Sequence, residues 1–117
     1  MSKKPSLKLV ATADDPAAPP RNLGRHGLNL WRTILSEYEI DNAGGREMLA
    51  QACIALDRAE ECAAEIERDG IVVRTKNGPK DHPALRHELA NRAFVVRTLG
   101  KLGLAVEAIK PVGRPPL

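Results

Sequence analysis

A repeating apolar pattern in the middle of the chain constrains the fold more than any other feature. Within residues 44–69, six apolar side chains recur at alternating spacings of three and four: Leu49, Ala52, Leu56, Ala59, Ala63 and Ile66. Such spacing lines up side chains along one side of an α-helix and predicts a helix about 39 Å long. Half of the six are alanine, so a second helix can approach this seam closely.

Two weaker patterns predict helices before and after the seam. Residues 23–39 carry an apolar stripe of Leu28, Trp31, Leu35 and Tyr38, which is typical of a short amphipathic helix. A third helix is predicted to start at Asp81-His82-Pro83 and to end near Gly100 or Gly103. Its predicted cap is Asp81, because Asp is a favoured N-cap and proline suits the first helical turn. Its apolar stripe consists of Leu85, Leu89, Ala93, Val96 and Leu99.

The segment between the second and third helices has the composition of a turn. Residues 71–80 contain β-branched residues followed by Asn77-Gly78, a strong turn dipeptide. We interpret them as a small β-hairpin or an extended loop. The predicted fold is therefore all-α: a long antiparallel helical hairpin, with the short N-terminal helix packed at one end.

Both ends of the chain differ in composition from this helical part. Residues 1–21 are rich in proline, alanine and lysine and predict a disordered basic arm. Residues 109–117 contain three prolines, which cannot lie inside a helix or central strand. The chain thus divides into the arm, a helical oligomerisation domain at 22–108 and a Pro-rich basic tail at 109–117.

Several classes of protein are disfavoured by composition. The 117 residues include one Trp, one Tyr and one Phe, too few rings for a base-stacking platform. There is no apolar run near the roughly 20 residues of a membrane span and no apolar centre of a secretory signal, so we expect an intracellular protein without a membrane partner. The cysteines, Cys53 and Cys62, would stand about 13 Å apart on one helix, too far for a disulfide, and we expect small buried hydrophobes.

Signals for catalysis are poor. The segment His87-Glu88-Leu89-Ala90-Asn91 ends in Asn where a zinc protease needs a second imidazole. No P-loop is present, and the adjacent acids Glu60 and Glu61 fall on the polar side of the predicted second helix. We therefore expect no enzyme activity, no cofactor and no metal site.

Charge is distributed unevenly along the chain. Residues 42–69 carry seven acids against three bases, whereas residues 70–101 carry seven bases against two acids. The basic side chains of the predicted hairpin and third helix could contact phosphates without reading bases. Alternatively, they pair with acids of the second helix. Among those of the third helix, three fall loosely together: Arg86, Arg97 and Lys101.

A thin helical hairpin with two apolar stripes exposes more apolar surface than one short helix can cover. We therefore expect other copies of the chain to cover part of it. Head-to-tail contacts between the acidic second helix and the basic third helix would close into a ring. The predicted interface residues are Leu49, Leu56, Ile66, Leu89 and Val96.

Several short motifs, in order along the chain, resemble the small subunit of tailed-phage terminases. They are Leu30-Trp31-Arg32 with Tyr38, Ala55-Leu56-Asp57-Arg58-Ala59-Glu60, Asp69-Gly70, Lys80-Asp81-His82-Pro83-Ala84, Leu102-Gly103-Leu104 and Gly113-Arg114-Pro115-Pro116. The resemblance runs from about residue 22 to the C-terminus. It implies an all-helical, ring-forming homo-oligomer in the host cell cytoplasm that recognises double-stranded viral DNA. That protein would deliver the DNA to the large terminase subunit, which carries the ATPase and nuclease.

On that basis two sets of contact residues are predicted. Those for DNA phosphates are Lys3, Lys4, Lys8, Arg21, Arg25, Arg74, Lys76 and Lys80. Those for docking on the large subunit are Lys110, Arg114 and Leu117. The tri-helical helix-turn-helix domain found at the N-terminus of some terminase small subunits is not recognisable in the sequence. The alternative functions are a helical oligomeric adaptor or scaffold without DNA binding, and a transcriptional regulator.

Overall fold

The computed structural model describes residues 18–104. It contains helices α1 (Arg25–Glu37), α2 (Ala43–Asp69) and α3 (Pro83–Lys101), and between α2 and α3 the strands β1 (Val72–Thr75) and β2 (Gly78–Asp81). This confirms the predicted helical fold with its small β-hairpin. Most of the predicted arm (residues 1–17) and the whole predicted tail (109–117) lie outside the described residues.

Polar caps and glycine set the ends of α2. The Asn42 side chain accepts a hydrogen bond from the Gly45 amide at 2.5 Å, which satisfies one of the first-turn donors. At the other end, Gly70 adopts a φ of 91° and its amide donates to the Ile66 carbonyl. A side chain is strained at that φ, so glycine permits the helix to stop there.

The two long helices run antiparallel, as two cross-helix contacts show. His82 at the start of α3 contacts Asp69 at the end of α2, whereas Arg92, further along α3, contacts Glu60, earlier in α2. Their interface is built from small side chains, and the buried residues include Ala52, Ala55, Ala59, Ala84 and Thr98. The alanine seam thus does what its composition predicts: it lets α3 pack closely on α2.

The largest apolar side chains collect at the open end of this hairpin, where α1 packs. Trp31 and Leu49 are fully buried there, together with Ile34, Cys53 and Leu104. Leu104 reaches this cluster because the chain turns at Gly103 (φ 76°) just after α3. The core is therefore concentrated at one end, and the rest of the hairpin is only two helices thick.

Within the β-hairpin, Val73 pairs with Lys80 and Arg74 pairs with Pro79 in antiparallel register. The two turn residues are 76 and 77, one position earlier than the predicted turn dipeptide, and Gly78 is the first residue of β2. The Thr75 hydroxyl stabilises the turn by donating to the Gly78 carbonyl at 2.7 Å.

Helix α3 differs from the sequence prediction in its cap and in its packed side. The cap is His82 rather than Asp81: its ring accepts a hydrogen bond from the Ala84 amide. The side that packs on α2 contains Val95, whereas Leu89 and Val96 of the predicted stripe are 59% and 70% exposed. Leu99 of the predicted stripe packs against the core, but small side chains allow closer contact with the alanine seam, so Leu89 and Val96 are left on a flank of the hairpin.

Candidate nucleic-acid interface and assembly surface

Three of the predicted phosphate contacts lie on the β-hairpin. Arg74 is on β1, Lys76 is in the turn and Lys80 is on β2, and all three are exposed. Because cross-strand partners share a side of a two-stranded ribbon, the register places Arg74 and Lys80 on opposite sides. None of the three forms an ion pair with another residue of the described range 18–104. Their charges are therefore available to an anionic partner.

Two further predicted contacts, Arg21 and Arg25, lie elsewhere. Arg21 donates to the Glu47 carboxylate at 2.9 Å, and Arg25 lies beside the His26 ring. The start of α1 contacts α2 at Asp57, which is twelve residues before the end of α2 and thus about 18 Å from the β-hairpin along the helix. The structure therefore does not bring Arg21 and Arg25 together with the hairpin residues. Three others, Lys3, Lys4 and Lys8, lie outside the described residues.

The basic residues of α3 divide into two groups. Arg92 donates to Glu88 at 2.9 Å and to Glu60 at 3.3 Å, and Glu60 in turn lies 3.9 Å from His26. This network joins all three helices, so pairing with acids of α2 is the correct interpretation for Arg92. Three other bases of α3 form no ion pair within residues 18–104: Arg86, Arg97 and Lys101.

The β-hairpin is tied to the helices through a buried histidine. The Nδ1 atom of His82 accepts from the Ala84 amide at 3.0 Å, so its Nε2 carries the proton donated to Asp69 at 2.9 Å. The His82 amide also donates to the Ile71 carbonyl. Hydrogen bonds from Arg68 and then His82 lower the pKa of Asp69 to about 2. His82 thus joins the end of α2 and the start of α3 through its side chain, and the base of the hairpin through its backbone amide.

A second tie was not predicted from the sequence. The Asp57 carboxylate accepts from the Gly24 amide at 2.7 Å and from the Gly27 amide at 2.8 Å, although α1 has no capping side chain of its own. A Cβ at Gly27 would lie 2.6 Å from the Cys53 carbonyl oxygen, so glycine is required for this close approach. The sequence signal that could have indicated this contact is Gly27, a glycine inside a pattern that otherwise predicts a helix.

The predicted interface residues have different environments. Leu49 is fully buried in the core of its own protomer and is not available to a neighbour. Leu56 and Ile66 are half-buried on the alanine seam of α2. Leu89 and Val96 are exposed on α3, and with the half-buried Leu85 they form what we call the α3 stripe.

The surroundings of both thiols disfavour the thiolate, and the described residues offer no metal centre. Burial, with a smaller contribution from Asp57, raises the pKa of the Cys53 thiol to about 12. The pKa of Cys62 is also raised, first by burial and then by nearby acids. Within residues 18–104 no three His, Cys, Asp or Glu side chains are grouped to hold a metal ion. In the same range, every helix is too short or too polar to cross a bilayer.

A family model described as the small subunit of phage terminase matches residues 28–115. The chain belongs to the phage terminase small-subunit family. That assignment confirms the resemblance carried by the sequence motifs, and a terminase small subunit is the role it supports. Comparisons with curated proteins and with solved structures give no match.

The match to terminase small subunits covers some predicted sites and not others. It includes all of α2, the β-hairpin and α3, and hence Arg74, Lys76, Lys80 and the α3 stripe. It also reaches Lys110 and Arg114, which are predicted to dock on the large subunit and which lie, like Leu117, outside the described range. The arm lysines, Arg21 and Arg25 precede the matched range.

Proposed function

We propose that this terminase small subunit is a ring-forming component that binds double-stranded viral DNA in the infected host cell. It delivers the DNA to the large ATPase and nuclease subunit, or regulates that subunit, during genome packaging. Membership of the family supports the proposal. The proposal that the chain assembles rests on the α3 stripe, because the large apolar side chains of Leu89 and Val96 are more than half exposed on a regular helix.

The DNA part of the proposal is supported by the β-hairpin. A two-stranded ribbon fits the major groove of B-DNA, which is about 12 Å wide. Because Arg74 and Lys80 lie on opposite faces of the ribbon, a ribbon that enters the groove tip first directs each of them at a different wall of phosphates. Lys76 at the tip and the basic arm would add further contacts that are independent of sequence.

The test is the salt dependence of binding to a labelled duplex, measured by fluorescence anisotropy. Variants R74Q, K76Q and K80Q should each lower the slope of log affinity against log salt by about one unit for every phosphate that the variant no longer neutralises. The matched control is R32Q, since Arg32 is an exposed base on α1, away from the hairpin.

Two results would contradict the DNA assignment. If the wild-type chain shows no salt-dependent binding to duplex DNA, the adaptor or scaffold without DNA binding is the better interpretation. If binding occurs but the three hairpin variants match R32Q, the DNA-binding residues lie elsewhere. A variant lacking the arm lysines would then be measured in the same assay.

A further inference from the structure

The two flanks of the helical hairpin have different chemistry. One flank carries the α3 stripe. On the other flank, α2 and α3 line a groove of about 410 Å³. Its lining includes Arg58, Glu61, Cys62, Glu65, His87 and Asn91, and we call it the α2/α3 groove.

The stripe and the groove face away from each other. Residues two apart on a helix point about 200° apart, because each residue advances about 100°. Leu89 of the stripe and Asn91 of the groove are related in this way, as are Leu85 and His87. A contact between stripe and groove must therefore join two copies. In that contact one copy uses its stripe and the other its groove, so each copy keeps its second surface free for a further copy.

The charges next to these surfaces are opposite in sign. Glu61 and Glu65 in the groove form no ion pair within residues 18–104, and they outnumber Arg58 there. Next to the stripe, Arg86 and Arg97 are exposed and equally unpaired within that range. These two arginines are eleven residues apart, so they return to the same side of α3 about 16 Å from each other.

We infer that the occupant of the α2/α3 groove is a second copy of this chain, whose α3 stripe packs into it head to tail. Val96 and Leu89 of one copy lie in the groove, and the positive charge of Arg86 and Arg97 beside them is attracted by the negative charge of Glu61 and Glu65 in the next copy. Repetition of such a heterologous contact closes a ring when the rotation between copies divides a full turn. This inference rests on the proposed homo-oligomer and names the two surfaces that build it.

The native cysteines allow a direct test. Cys62 lies in the groove and Cys53 is fully buried in the core. The variant V96C therefore places a second accessible thiol in the stripe. Treated with a short bismaleimide, it should give a ladder of covalent dimers, trimers and larger species on a denaturing gel. The matched control T33C has its new thiol on the exposed side of α1 and should give no ladder.

The double variant C62S/V96C decides which surface the stripe meets. Loss of the ladder is expected, because the groove thiol is gone. Dimers that persist would show that stripe meets stripe in a two-fold contact, which would overturn the inference. If V96C, with Cys62 in place, gave a ladder only after deletion of residues 105–117, the chain's own C-terminal segment would cover the stripe, which would also overturn the inference.

Charge reversal gives an independent readout of the same contact. The variants E61K/E65K and R86E/R97E should each lower the oligomeric mass measured by light scattering, and an equimolar mixture of the two should raise it again. Unchanged mass in both variants would overturn the inference and leave the proposed function intact. A wild-type chain that is monomeric in this assay would instead refute the proposed homo-oligomer itself.

Discussion

The contact between Asp57 and the start of α1 provides a quantitative prediction for the substitution D57A. The carboxylate accepts two backbone hydrogen bonds, from Gly24 at 2.7 Å and from Gly27 at 2.8 Å. A hydrogen bond to a charged group contributes about 1.5–3 kcal/mol. Two bonds at the lower end of that range would contribute about 3 kcal/mol, and water can replace part of the bond to Gly24, which is exposed. The expected loss is then roughly 2–3 kcal/mol in the free energy of unfolding.

The assay is urea denaturation at fixed protomer concentration, since assembly changes apparent stability. Trp31 is the sole tryptophan and is fully buried where α1 meets α2, so its fluorescence reports this contact directly. D57N retains one acceptor oxygen and should lose less stability than D57A. E67A, an exposed change on the same helix, should stay within about 0.5 kcal/mol of wild type. If D57A were as stable as E67A, Asp57 would not be the cap of α1.

Three further predictions concern acid stability, thiol chemistry and the C-terminal tail. The hydrogen bonds that lower the pKa of Asp69 stabilise the fold at pH values above about 4, the ordinary pKa of an aspartate. This stabilisation is lost as the pH falls towards about 2. Acid titration by circular dichroism should therefore show a smaller loss of stability between these pH values for D69N. In the native protein a maleimide should label Cys62 slowly and Cys53 only after denaturation, as mass spectrometry would reveal. Deleting residues 110–117 should preserve oligomeric mass and weaken binding to the large subunit in a pull-down.

Sequence periodicity predicted the helices well because it extends over many residues. The six-member seam of α2 defines a helix that the structure places at Ala43–Asp69, within one residue of the predicted start. Asn77 and Gly78 likewise located the β-hairpin, because few residues adopt its tight turn. Such signals are local, so they do not depend on which partner the helix finally packs against.

Contacts between distant parts of the chain could not be predicted in the same way. Asp57 caps a helix that begins more than thirty residues earlier, and the residues next to Asp57 in the sequence do not indicate that role. On α3 the strongest apolar pattern, Leu89 with Val96, is not the packed side, because the alanine seam favours small partners such as Thr98. The hydrophobic pattern alone cannot separate a side that packs within the protomer from one that is left for a neighbour.

We propose that the exposed α3 stripe of this terminase small subunit is covered in a homo-oligomer. Native mass spectrometry of the full chain at micromolar concentration tests it most directly. We expect one dominant closed species whose mass is a multiple, by two or more, of 12.7 kDa. A single 12.7 kDa species under those conditions would contradict it.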